Sequence, residues 1–362
     1  MEKQDNSFKI ILPNAAGIDV GSRSHMVAVD QLKENVREFG IYTKDHEELI
    51  TYPYAQGIMT IAMESTGSYW QTLFSALLAA GFEVLLVPGT QTKNVKGRKT
   101  DVVDCMWIQK LHSLGLLSGS LLLSDTFQQL RTYYYHRSHL VEQSARYSSK
   151  MQKSLRLMNV RLDVAIRDIT GESCMAVIDA ILSGVKDPER LASLVSTRVK
   201  RSRQEIIDAL HGWWRDELLF ELQACLEFYK LYEHKIKECD QVIEELLTKF
   251  APKRDVSDEE QRQLKANKKR RDKHAPSFNL SYLAFNYFGT DLFAINGISY
   301  NTVLCLLTNM GHDLNKFPTV KSFACWLGLV PNNKISGGRI ISNRTASGKI
   351  ILRNHYDMQP TL

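Results

Sequence analysis

No apolar run in the 362-residue chain approaches the ~20 residues that a membrane-spanning helix needs. No signal peptide opens it either, because Lys3, Asp5 and Asn6 interrupt any apolar stretch at the start. Cysteine is sparse and unpatterned. Cys105, Cys174, Cys225, Cys239, Cys305 and Cys325 stand apart, without CxxC pairs or accompanying histidine spacing. That argues against a zinc site or a disulfide framework and for reduced thiols in a cytosol. Charge of one sign is not in large excess: the formal net charge of +6 permits a polyanionic partner without requiring one. The expectation is a soluble cytoplasmic protein with no membrane partner. Its length suits two or three domains, each able to bury a core.

What is present is concentrated between Ala16 and Gln109. Ile18 and Val20, then Met26 to Val29, give two short β-type runs around the turn-forming Gly21-Ser22-Arg23-Ser24. Asp19 lies in the first of these runs. Ile58 to Met63 is a further apolar run with Glu64 at its end. From Asp101, the residues Val102, Val103, Met106, Trp107 and Leu111 have helical period, which puts Asp101 and Asp104 on one helix face. Taken singly, these groups read as a turn residue, a surface glutamate and a helix cap. Together, four carboxylates at strand and helix ends suit a hard divalent cation such as Mg²⁺, with Mn²⁺ equally compatible. Two such ions ~4 Å apart would serve phosphodiester cleavage.

The intervening pattern gives the fold. Two strands around Asp19 are followed by a third at Phe39 to Tyr42, and a helix from Thr43 to about Gln56 comes next. The strand ending in Glu64 precedes a helix from Tyr69 to Ala80, stopped by Gly81. Phe82 to Val87 is a buried-type strand, and Ile10-Ile11-Leu12 is a candidate extra strand. A meander followed by alternating strands and helices is the order of an RNase H-like α/β fold. Between the last strand and Asp101 lie Lys93, Lys96, Arg98 and Lys99, a basic run placed to touch a phosphate backbone.

Downstream, 125–252 reads as helical. Leu222, Cys225, Tyr229, Tyr232, Ile236, Cys239, Ile243, Leu246 and Phe250 form a heptad seam of coiled-coil type. Its partner is either the segment Leu130 to Leu162 or another subunit. That segment interleaves Arg137, Arg146, Lys150, Lys153, Arg156 and Arg161 with Tyr133, Tyr134, Tyr135 and Tyr147, a combination suited to a solvated face or to nucleic acid. Residues 253–277 are nearly free of apolar groups and read as a charged flexible linker. The last region, 278–362, is mostly helical. Leu292 to Ser299 before an apolar helix resembles the first half of a helix-hairpin-helix. Helix 319–328 follows, then Ser336-Gly337-Gly338-Arg339. Lys334 and Arg339 flank this turn as candidate phosphate contacts.

Gly17-Ile18-Asp19-Val20, Met63-Glu64-Ser65-Thr66-Gly67 and Lys99-Thr100-Asp101-Val102-Val103-Asp104 resemble the signatures of the DEDD transposases of the insertion-sequence 110/1111 family. Leu327-Gly328-Leu329-Val330-Pro331 followed by Ser336-Gly337-Gly338-Arg339 is similar to that family's C-terminal transposase domain. The resemblance implies a RuvC-like domain over 1–124, with Asp19, Glu64, Asp101 and Asp104 as metal ligands. It implies Ser336 as a nucleophile that forms a phosphoserine link to DNA, with Ser342 and Ser347 as neighbouring alternatives. It also implies a guide (bridge) RNA, a homo-oligomer (dimer or tetramer) and a bacterial cytosolic or nucleoid setting. The chain departs from the pattern after Leu352-Arg353, where relatives run on into further helix. Two competing expectations follow: a Holliday-junction resolvase-like nuclease that activates water, and a shortened, non-cleaving nucleic-acid-binding remnant.

Overall fold

The computed structural model describes residues 9–65, 67–92, 100–119, 125–166, 168–252, 254, 257–266, 274–311, 313–331 and 333–343. The chain divides into two compact units, Met1–Leu122 and Leu123–Leu362.

The first unit is built on a mixed sheet. Its strands are β1 (Ala15–Val20), β2 (His25–Ala28), β3 (Arg37–Phe39), β4 (Thr60–Glu64) and β5 (Glu83–Val87), in the order β3-β2-β1-β4-β5. The first three form an antiparallel meander, and β1, β4 and β5 are parallel. Helices α1 (Thr43–Ala55) and α2 (Trp70–Ala79) supply the crossovers, α3 (Gly89–Thr92) follows β5, and α4 (Asp101–Ser113) closes the unit. Ile18, Val20, Val27, Ile61 and Met63 pack with Leu49, Tyr52, Leu73, Phe74 and Leu77 of α1 and α2 into one buried cluster. Each such side chain contributes ~1.5–3 kcal/mol when withdrawn from water. The opposite face of β1 is covered by α4.

Local chemistry explains where the elements stop. The Gly21 N–H donates to the Ser24 carbonyl at 3.1 Å and closes the β1–β2 turn. β3 ends at Phe39, earlier than the sequence suggests, because Gly40 turns the chain so tightly into α1 that a Cβ there would lie 2.1 Å from Asp45 Oδ2. That same carboxylate accepts the Tyr42 N–H at 2.9 Å and caps α1. Residues 10–12 form no strand. The N–H groups of Ile11 and Leu12 both donate at 2.9 Å to the Ser113 carbonyl at the end of α4.

The second unit is dominated by two long helices, α5 (Asp125–Leu157) and α10 (Asp216–Phe250). They run antiparallel. Leu130 and Tyr134 share a cluster with Ile243 and Leu247 at one end, Leu140 packs with Ile236 and Cys239 midway, and Met151 and Leu155 pack with Leu222 and Leu226 at the other end. The seam therefore buries against α5 of the same chain. Between the pair lie α6 (Leu162–Ala165), α7 (Glu172–Leu182), α8 (Pro188–Ser193) and α9 (Arg203–Leu210), which close its far end through Cys174, Ile178, Leu191 and Leu210. A buried ion pair ties the near end together. Arg137 Nε lies 2.5 Å from Asp240 Oδ1, while an Arg137 Nη donates to the His274 carbonyl at 3.0 Å and the Ser277 N–H donates to Asp240 Oδ2 at 2.9 Å.

Within the segment read as a flexible linker, residues Asp258–Ala266 form a helix, α11, started by Ser257 and Glu260, each of which caps the other's N–H. Then come α12 (Leu280–Phe288), a 3₁₀ turn at Leu292–Ala294, α13 (Tyr300–Met310), α14 (Val320–Trp326) and a hairpin of β6 (Lys334–Ser336) and β7 (Arg339–Ser342). Val303, Leu304 and Leu307 of α13 complete the cluster at the base of the helix pair. Tyr134 and Tyr135 donate to Asn301 and Asn309 at 3.2 and 3.0 Å. Among the described residues, no helix is long and apolar enough to cross a membrane.

Candidate metal centre

The first unit brings three of the four expected carboxylates together. Asp19 is the penultimate residue of β1, and Asp101 and Asp104 occupy the first turn of α4. One oxygen from each lies within 4.8 Å of the others. The reason is a close helix–strand contact. A Cβ at Gly17 would fall 2.2 Å from the Gln109 backbone nitrogen and 2.5 Å from the Cys105 carbonyl oxygen, so only glycine lets α4 lie this near β1. Gln109, itself buried, donates to the Ala15 carbonyl at 3.0 Å, and Gln31 donates to the Met106 carbonyl at 2.8 Å and straps the outer side of α4. Thr100 caps the helix, accepting the Val103 N–H at 3.4 Å. Acidic groups in a first turn are favoured by the helix dipole.

Three acidic groups this close repel one another, and a hard cation offsets that repulsion. The donors are all carboxylate oxygens, a set that fits Mg²⁺ or Mn²⁺ and not a soft metal. Their charge is felt next door. The Cys105 thiol is pushed up to about 12, first by burial and then by Asp19, with Asp104 adding to the effect. Cys105 is therefore a neutral packing residue of the helix–sheet contact.

Glu64 stands outside this group of three. It ends β4, and its Oε2 accepts a hydrogen bond of 2.5 Å from Thr92 Oγ1 at the end of α3. Lys93, Lys96, Arg98 and Lys99 lie outside the described residues.

Ser336 belongs to the second unit. It is the last residue of β6, exposed, and pairs with Arg339 across Gly337 and Gly338. Both glycines have positive φ, 54° and 77°, the geometry of a tight two-residue hairpin turn. A Cβ at either would meet no atom within 4 Å, so the turn faces open space. Lys334 lies in β6, and Arg339 opens β7 with its side chain exposed. The two strands on either side of this turn were not anticipated from the sequence.

Part of the cation–tyrosine interleaving between Thr132 and Arg161 serves packing. Arg137 and Tyr134 are buried, and Arg156 and Arg161 pair with Asp163 at 2.9 and 3.1 Å. Tyr147 stacks on Phe228 and Tyr232 at centroid distances of 4.9 and 5.5 Å. Arg146, Lys150 and Lys153 remain exposed.

Comparison with known families follows the same division. A family model described as "Transposase", for the DEDD transposases of IS110, matches residues 16–160. A second, described as "Transposase IS116/IS110/IS902 family", matches residues 290–355. The chain belongs to the IS110 family of transposases. No curated protein matches it.

In this transposase the first match covers every carboxylate of the candidate centre, and the second covers the Ser336 hairpin. The sequence did not mark Gly17, Gln109 or Thr92 as part of the site. Gly17 carried a usable signal: a glycine inside a strand marks a close approach of backbone. Thr92 carried none, since its partner Glu64 lies 28 residues earlier.

Proposed function

We propose that this transposase cuts and rejoins DNA strands with a carboxylate-held divalent cation and a serine nucleophile. The observation that carries the reading is the convergence of Asp19, Asp101 and Asp104 within 4.8 Å at the contact of β1 and α4. The strand order β3-β2-β1-β4-β5, with a meander first and α4 against β1, supports an RNase H-like fold of RuvC type for the first unit.

Asp19, Asp101 and Asp104 would hold Mg²⁺ or Mn²⁺, with Glu64 as the fourth carboxylate. Bound there, the cation supplies charge neutralisation at a phosphate oxygen. Ser336 Oγ attacks the scissile phosphorus. A serine O–P bond forms, the bond from phosphorus to the leaving deoxyribose oxygen breaks, and the serine proton passes to a base. A hydroxyl from another strand then attacks the phosphoserine, the P–Oγ bond breaks and Ser336 regains a proton. One phosphoester bond is made for each one broken, so joining needs no external energy source. The open turn at Gly337-Gly338 leaves room for a backbone phosphate, and Arg339, with Lys334, offers it positive charge. Lys93, Lys96, Arg98 and Lys99 serve the flanking DNA backbone.

A guide RNA and a homo-oligomer complete the reading. The family resemblance supports both, and the exposed Arg146, Lys150 and Lys153 suit an RNA backbone.

The test is strand cleavage of labelled duplex DNA carrying the element's end, with RNA transcribed from the element's flank. Cleavage should require Mg²⁺ or Mn²⁺, stop on chelation, and be lost in Asp101→Asn and Asp104→Asn. Metal-independent cleavage, or full activity in both variants, would overturn the metal role.

A further inference from the structure

We infer that Thr92 is a positioning residue for Glu64, orienting its carboxylate for a divalent cation; this rests on the reading of Glu64 as a metal ligand. Glu64 ends β4, and Thr92 ends the four-residue helix that follows the neighbouring strand β5. Thr92 Oγ1 donates to Glu64 Oε2 at 2.5 Å. The threonine is only 7% exposed, so water competes poorly for that bond. The hydroxyl has a second acceptor in reach, the Gly89 carbonyl at 3.3 Å. It has one proton to give, and the shorter, charge-assisted bond to the carboxylate is the stronger.

Gly89 forms the other wall. A Cβ built there would lie 2.6 Å from Glu64 Oε1 and 3.1 Å from its carboxyl carbon. The Glu64 carboxylate thus occupies the space that any side chain at position 89 would take. One short helix shapes both sides of the seat: a hydroxyl engages Oε2, and an absent methyl group makes room for Oε1. A glutamate with no task beyond ending a strand needs neither. Carboxylates that ligate metals are typically held by such outer partners, whose loss costs ~10–100-fold in metal affinity.

The experiment is Mn²⁺ binding to the full-length protein, read from the electron paramagnetic resonance signal of free Mn²⁺, with thermal melting as the control for folding. Thr92→Val should weaken binding ~10–100-fold at an unchanged melting temperature. Thr92→Ser, which keeps the hydroxyl, should restore it. Gly89→Ala should weaken binding even with Thr92 intact, because the new methyl group displaces Glu64. Glu64→Gln should weaken it at least as much. Wild-type affinity in Thr92→Val alongside a weakened Glu64→Gln would overturn the positioning role, as would failure of Thr92→Ser to rescue. Wild-type affinity in Glu64→Gln would instead overturn the ligand reading on which the inference stands.

Discussion

A missing side chain matters as much to the centre as the carboxylates do. Gly17 sits with backbone atoms of Cys105 and Gln109 where its Cβ would be, and backbone does not swing aside as a flexible side chain does. Gly17→Ala should therefore lift α4 from β1 and destabilise the protein by ~1–3 kcal/mol, as overpacking of a tight core does. Urea unfolding would measure it, and Mn²⁺ binding should weaken in parallel as Asp101 and Asp104 move from Asp19. An alanine variant of wild-type stability would mean that α4 does not need this approach. The acidic residues themselves were legible in the sequence, because an i, i+3 pair at a helix start and an aspartate in a short strand are local patterns. The seat of Glu64 was not, because Thr92 and Gly89 reach it only through the pairing of β4 with β5.

Among the elements, β2 against α1 carries a built-in acid sensitivity. His25 of β2 and His46 of α1 are buried with ring centroids 5.5 Å apart, and His25 Nδ1 and His46 Nε2 have no hydrogen-bond partner. Burial, reinforced by His46, lowers the pKa of His25 to about 4. Burial also lowers His46 against the opposing pull of Asp45, and lowers His112, bonded to Thr60 at 2.9 Å, against that of Glu83. Each folded-state pKa lies below the unfolded value of about 6.5, so the unfolded chain binds more protons in the interval. Stability from these groups is full above about pH 6.5 and falls as the pH drops toward 4. The urea midpoint should decline over that range, and His25→Phe should flatten the decline. A midpoint constant from about pH 7 to about pH 4.5 would contradict it. Element order was readable here from period and turn residues. Element ends were not, since Gly40 and Asp45 set them through a side chain folding back on the backbone.

For the whole molecule, the long-range partners are what the sequence left open. The seam from Leu222 to Phe250 announced a buried helix face and left two covers open, the segment Leu130 to Leu162 or another subunit; the cover is α5 of the same chain. The contacts of Tyr134, Tyr135 and Arg137 on α5, to Asn301, Asn309 and Asp240, come from far along the chain, so the sequence left a solvated face and a nucleic-acid face both open there. The proposed chemistry has Ser336 carrying the DNA covalently in a reaction that also needs the carboxylates Asp19, Asp101 and Asp104. The most direct measurement is covalent trapping. The protein, RNA from the element's flank and labelled DNA are incubated with Mg²⁺ and resolved on a denaturing gel, with Ser336→Ala and Asp101→Ala run alongside. A protein–DNA adduct should form in wild type and be abolished by both substitutions. DNA cleavage without an adduct, undiminished in Ser336→Ala, would contradict it and leave a hydrolytic nuclease of the Holliday-junction resolvase kind.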